Sequence, residues 1–253
     1  MTVNKARMAA TAYEIECWLK AQLTGDAAKC LQRVMDNGEG AEQLIRAAPE
    51  LFQGLIVRWL YWRRRAGQCS TDLYRDALDA AWEVNHRAAI LAARDYRMLR
   101  AMFRVAEFPV PAGFPNLIDI WRGVRAVPID TARRGISWSL RRDTACWFAV
   151  SYLANPIGES LVIKATVAPT EIFILRNAKS EFEVIWFGGY FGDVRAARDG
   201  DLTEWQIAAD REEKLNLEIN DTVNRQDRVS HDAIMRRIGP LGFALRGGWE
   251  IAK

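Results

Sequence analysis

The chain has 253 residues, 50% of them apolar and 26% charged, with a formal net charge of +3. That balance suits one large or two small globular domains with a real core and excludes a disordered or collagen-like chain. No apolar run approaches the roughly 20 residues of a membrane span, no signal-peptide segment follows Met1, and the charge is too mild to call for nucleic acid by itself, so a cytoplasmic protein without membrane partners is expected.

The first hundred residues read as helix. Ile15, Trp18, Leu19 and Leu23 form a helical stripe over 12–23. Asp26 is expected to cap a second helix carrying Cys30, Leu31, Val34 and Met35, closed by Asn37-Gly38. Pro49 opens a helix over 50–65, with Leu51, Leu55, Trp59 and Trp62 near one face and Arg63-Arg64-Arg65 at its end, where cations suit the dipole. Ser70-Thr71-Asp72 caps a long segment running toward Phe108, packed through Leu73, Ala77, Ala80, Ala81 and Val84. Cys17, Cys30, Cys69 and Cys146 form no C-x-x-C pair, and the two histidines, His86 and His231, complete no zinc spacing, so free thiols and no metal are expected.

Between Pro109 and Pro115, three prolines and a glycine in seven residues mark a connection. Short β-rich runs follow at 117–122, 136–140, 161–167, 171–175 and 181–187, with a helix interposed over 142–153 whose inner side carries Cys146, Ala149, Val150 and Leu153. The tail over 202–237 turns helical and polar, and Gly248-Trp249-Glu250-Ile251 reads as a last strand. The expected architecture is α+β, with a helical bundle over 1–110 followed by an α+β domain over 111–253.

Three features of the second half carry chemistry. Arg122, read as a strand end, offers a planar, permanently charged fork for phosphate, and Gly123 beside it leaves room for backbone to approach a ligand. Ser137-Trp138-Ser139 is a strand whose two hydroxyls share a face. Glu181 and Glu183, at i and i+2 of the run 181–187, point the same way if that run is extended from its start. A phosphate-gripping arginine, hydroxyls that hold a sugar and a carboxylate pair imply a nucleotide-sugar substrate with a cleavable glycosidic bond. Asp193, Asp199 and Asp201 do not match a calcium loop, and Gly188-Gly189-Tyr190-Phe191-Gly192 lacks the Lys-Ser/Thr of a phosphate loop.

Trp121-Arg122-Gly123, then Gly135-Ile136-Ser137-Trp138-Ser139 with the helix holding Ala145, Phe148 and Ala149, then Glu181-Phe182-Glu183-Val184-Ile185, stand in this order. The ordered set resembles the arginine–serine–glutamate class of mono-ADP-ribosyltransferases, over roughly residues 117–190. The resemblance implies a split β-sandwich catalytic domain, NAD as substrate, and a protein acceptor (an arginine side chain most simply) or a nucleic-acid acceptor. It implies that Arg122 contacts the NAD phosphate or adjoining ribose, that backbone near Gly123 binds the nicotinamide amide, and that Ser137, with Ser139 nearby, orders the strand network behind the catalytic glutamate. Glu183 would bond the ribose 2′-hydroxyl, and Glu181 would orient and deprotonate the acceptor. Trp138, Trp147, Phe148 and Tyr152 are candidates for stacking on nicotinamide. The departures are a connection of only fifteen residues from Arg122 to Ser137, a short loop over 176–180, and an amino-terminal region without a counterpart.

Cleaving the nicotinamide–ribose bond builds positive charge on the sugar, which a fixed carboxylate stabilises. Two neighbouring carboxylates should raise one pKa or both, which suits a base. An NAD glycohydrolase, with water as acceptor, and a non-catalytic binding module that retains the fold are the competing readings. A compact transferase of this kind would suit a toxin or phage effector.

Overall fold

The computed structural model describes residues 2–109, 114–151, 158–176, 182–188, 196–225, 230 and 233–234. Expectations placed on Tyr152, Leu153, the loop over 177–180, Glu181, residues 189–193, His231 and the strand at 248–251 lie outside the described residues. The chain divides into two compact units, Met1–Pro109 and Val110–Lys253. None of the described helices is long and apolar enough to cross a membrane.

The first unit is helical: α1 (Thr2–Gln22), α2 (Gly25–Asn37), α3 (Ala41–Ala47), α4 (Glu50–Ala66), α5 (Thr71–Ala92) and α6 (Tyr96–Ala106). Gly38, at φ +68, closes α2, while Asp26 lies in its first turn rather than at the cap, which is Thr24. Leu19, Leu44, Ile45, Ile56, Trp59 and Leu60 are fully buried. Of the face expected for α4, Trp59 is buried and Leu55 and Trp62 are half-buried, but Leu51 is 82% exposed, and the inward side is centred on 53, 56, 57 and 60. A Cβ on Gly54 would stand 2.4 Å from the carbonyl oxygen of Ala88, so the glycine lets α4 and α5 meet backbone to backbone. The long helix expected toward Phe108 is broken. Ser70 caps α5, Asn85 departs from helical angles, and Asp95 starts α6 afresh by accepting from the Met98 N–H at 2.7 Å. A cap recruited inside an amphipathic run competes locally with helix continuation.

The second unit is mixed. Its strands are β1 (Ile118–Arg125), β2 (Ser137–Ser139), β3 (Ser160–Val167), β4 (Ile172–Arg176), β5 (Glu183–Trp186) and β6 (Ala197–Arg198). Its helices are α7 (Ile129–Ala132), α8 (Arg142–Val150) and α9 (Leu202–Asn224). The described strands form one antiparallel sheet ordered β4-β5-β2-β1-β3-β6. β1 pairs with β3 along its whole length, from Ile118↔Val167 to Arg125↔Ser160, but meets β2 in the single pair Trp121↔Ser139. One sheet face buries Ile118, Ile120, Trp138, Ile163, Val184 and Trp186. Over the other, α8 lies against β1 and β3, and α9 packs on it through Trp205, Ala208 and Ala209. Asp201 caps α9 by accepting from the Glu204 N–H at 3.0 Å.

Candidate active site

Ser137 stands at the centre of the candidate site. Its hydroxyl donates to Glu183 Oε1 at 2.6 Å, and its carbonyl oxygen accepts from Arg122 Nη1 at 2.5 Å. Three residues separated by 15 and 46 positions are thereby joined in one chain of bonds. The bond to Glu183 joins hydroxyl to carboxylate, a type shorter and stronger than one between neutral groups. All three residues are half-buried.

The sheet explains their meeting. β2 is an interior strand between β5 and β1, so its hydroxyls are not the solvent face of an edge strand. Trp121, Ser139 and Glu183 stand opposite one another in a row, and Ser137 opposes Ile185. Directly opposed residues share a face, so Ser137, Ser139 and Glu183 stand on the α8 side of the sheet. Arg122 alternates onto the other side. It is also not at a strand end, because β1 runs on to Arg125. It stands just beyond the last pair with β2, where the two strands part, and reaches Ser137 through the backbone. A Cβ on Gly135 would lie 2.3 Å from Arg122 Cζ and Nε, so that glycine gives the guanidinium its seat.

The expected geometry around the carboxylates changes. β5 begins at Glu183, and Phe182 has φ +46, the left-handed region that a bulky side chain rarely adopts. Simple alternation stops there, so a shared face for Glu181 and Glu183 does not follow from strand geometry; Glu181 lies outside the described residues. Phe182 holds this conformation with its ring 4% exposed in the core and its carbonyl oxygen accepting from the Leu140 N–H. The strain sits immediately before the candidate catalytic carboxylate.

Other expected site residues fall in different places. Gly123 owes its missing side chain to helix packing, since a Cβ there would meet the Ala145 carbonyl oxygen at 1.7 Å. The space read as room for a ligand is filled by α8. Trp138 is 2% exposed on the sheet face opposite Ser137, donates to the Gly135 carbonyl oxygen and packs edge-on against Trp186, so it is not placed to stack on a ligand beside Glu183. Ser139 is buried, and its hydroxyl accepts from the Arg141 N–H at 2.9 Å in the turn into α8. Phe148 is half-buried on α8, its ring edge-on to Trp147 at 5.2 Å.

A second polar cluster escaped the sequence reading. Glu212 on α9 is only 1% exposed; it sits 2.6 Å from Arg141 Nη2 and accepts from the Thr144 hydroxyl at 2.8 Å. Burial pushes its carboxyl above the ordinary carboxylate range, opposed by the Arg141 charge and the Thr144 hydroxyl. Its signal lay in periodicity, because Glu212 falls on the stripe Trp205, Ala208, Ala209, Leu215 and Ile219 that α9 buries. Asp199 accepts from Trp121 Nε1 at 3.0 Å and from Arg142 Nε at 2.7 Å, which ties β1 to the start of α8. Asp199 and Asp201 therefore serve packing and capping, and no group of metal-ligating side chains occurs among the described residues.

No protein-family model, no curated protein and no solved structure matches this chain.

Proposed function

We propose that the chain is a mono-ADP-ribosyltransferase that breaks the nicotinamide–ribose bond of NAD and passes ADP-ribose to a macromolecular acceptor. The observation that carries this reading is the bonded chain Arg122–Ser137–Glu183, formed across the three strands β1, β2 and β5 by residues that the family resemblance names in the same order.

In this reading Glu183, oriented by the Ser137 hydroxyl, bonds the ribose 2′-hydroxyl and stabilises the positive charge that grows on the sugar as the C1′–N bond breaks. The bonding electrons leave with the pyridinium nitrogen, which departs as neutral nicotinamide. The acceptor nucleophile then attacks C1′ and yields its proton to Glu181; an arginine side chain is the simplest acceptor. Arg122 starts from the other sheet face, but its guanidinium reaches the Ser137 carbonyl oxygen where β1 and β2 part, and from there contacts a phosphate or the adjoining ribose; Phe148 with Trp147 supplies ring surface for nicotinamide. Ser139 and Trp138 act behind the site, as a turn bond and as core.

The test is NAD consumption and label transfer by the purified chain incubated with cell lysate. Glu183→Gln should lower NAD turnover by about 100-fold to 1000-fold, and Ser137→Ala should lower it less, with the fold retained. Glu181→Gln should spare NAD hydrolysis while abolishing transfer. Equal, background-level NAD consumption by wild type and Glu183→Gln refutes the catalytic reading. Equal loss of hydrolysis and transfer in Glu181→Gln refutes the division of labour.

A further inference from the structure

The arginines of the helical unit take no part in the site above. Between residues 54–66 and 94–106 the chain carries Arg58, Arg63, Arg64, Arg65, Arg94, Arg97, Arg100 and Arg104, against Asp95 as the one acidic residue. Asp95 is committed to the α6 cap, and the next carboxylate, Glu107, stands 3.6 Å from Arg64. On α5, Asp72 pairs with Arg75 and Glu83 with Arg46.

The helices sort these cations onto rows. On α4, Arg58, Trp62 and Arg65 recur at i, i+4 and i+7, away from the buried Ile56, Val57 and Leu60. On α6, Arg97, Arg100 and Arg104 recur at i, i+3 and i+7, opposite Leu99, Met102, Phe103 and Ala106. Arg94, at φ +62, stands in the turn before α6 and is exposed, as are Arg65, Arg97 and Arg104. Arg58, on the α4 row, lies near enough to Arg94 for the two charges to repel. It is half-buried, and its Nε has no hydrogen-bond partner among the described residues. Burial, and then the nearby Arg94 charge, holds its guanidinium below the ordinary arginine range. Two cations that crowd each other in the free protein gain from an anion that answers both.

We infer that this α4/α6 arginine surface binds single-stranded nucleic acid, its phosphates on the arginine rows and a base against Trp62. Rows of cations along two helices match a chain of evenly spaced phosphates. A half-buried indole between Arg58 and Arg65 supplies the ring surface on which an unpaired base stacks. The inference does not depend on the transferase reading, because it uses no residue of that site.

The experiment is fluorescence anisotropy of labelled oligouridylate and oligothymidylate of about 20 nucleotides, and of a duplex of equal length, over about 50 to 200 mM salt. Wild type should bind the single strands with a steep salt dependence, and the two oligomers distinguish RNA from DNA as the preferred form. Arg94→Glu/Arg97→Glu changes two exposed side chains and should keep the helical circular dichroism. It should weaken binding by at least about 10-fold and flatten the logarithmic salt slope by about 1.4, the share of two phosphates. Trp62→Ala should weaken single-strand binding about 10-fold and leave duplex binding unchanged. Absence of single-strand binding at low salt overturns the inference. So does binding that survives Arg94→Glu/Arg97→Glu, and so does binding confined to anionic lipid vesicles.

Discussion

Ser137 illustrates how one residue serves two ends of a site. Its hydroxyl and its carbonyl oxygen are bonded to different partners, so Glu183 and Arg122 are positioned through the same residue. Gly135 is the matching device on the arginine side. A methyl there would strike the far end of a flexible side chain, which can swing away, so Gly135→Ala should cost little stability. The displaced guanidinium would lose its bond to Ser137, and in the proposed transferase a misplacement of about 1 Å would cost on the order of 100-fold in rate. The expected outcome is an unchanged thermal midpoint with depressed NAD turnover, and a lost fold with no separable kinetic effect would refute it. Ser137 and Glu183 were legible from residue type and order. Gly135 stood in the Gly-Ile-Ser-Trp-Ser motif, but its part in seating Arg122 was not legible, because nothing local marks a glycine that faces a side chain thirteen residues earlier.

At the scale of elements, Gly123 shows the opposite balance. Its neighbour is the backbone of α8, with the Ala145 carbonyl carbon 2.7 Å and the Ala149 nitrogen 2.9 Å from a Cβ built there. A helix backbone cannot swing aside, so Gly123→Ala should destabilise the fold by about 3 kcal/mol, the upper end for overpacking. Denaturant unfolding would measure it, and an unchanged midpoint would show that α8 does not press on β1. Strands β1 to β5 and α8 were readable from the short β-rich runs and from the inward stripe of Cys146 and Ala149, whereas the two-residue β6 was not. The break of the long helix at Asp95 was not, because a capping aspartate looks like any other polar residue of an amphipathic run. The start of β5 was hidden for a similar reason: Phe182 fits the alternating pattern by residue type, and only its backbone angle ends the strand at Glu183.

For the carboxy-terminal unit as a whole, the buried Glu212 couples stability to pH. Its folded carboxyl is raised above the unfolded value of about 4.3. The fold therefore binds the proton more tightly than the unfolded chain does. The stability this contributes is full below the unfolded value and is lost as pH rises through the raised folded value. Glu212→Gln keeps an acceptor for Thr144 and removes the titration. Thermal midpoints of wild type should fall, relative to Glu212→Gln, as pH climbs through that window. A difference that stays flat with pH would remove Glu212 from this role. The same carboxylate joins α9 to Thr144 of α8 and, through Arg141, to the turn that follows β2, so the pH response belongs to the unit rather than to one helix.

Periodicity alone marked out the helical first half and the β-rich second half, and side-chain chemistry with the family resemblance singled out Arg122, Ser137 and Glu183 as candidates, because hydrophobic spacing and side-chain type are written locally. Tertiary structure decided which of these meet. It set β2 between β5 and β1, turned Arg122 to the far face, seated its guanidinium against Gly135, and placed α8 over Gly123. Such choices depend on strand order and on close approach between segments distant in the chain. Those quantities arise from packing the whole unit and from no stretch of sequence within it.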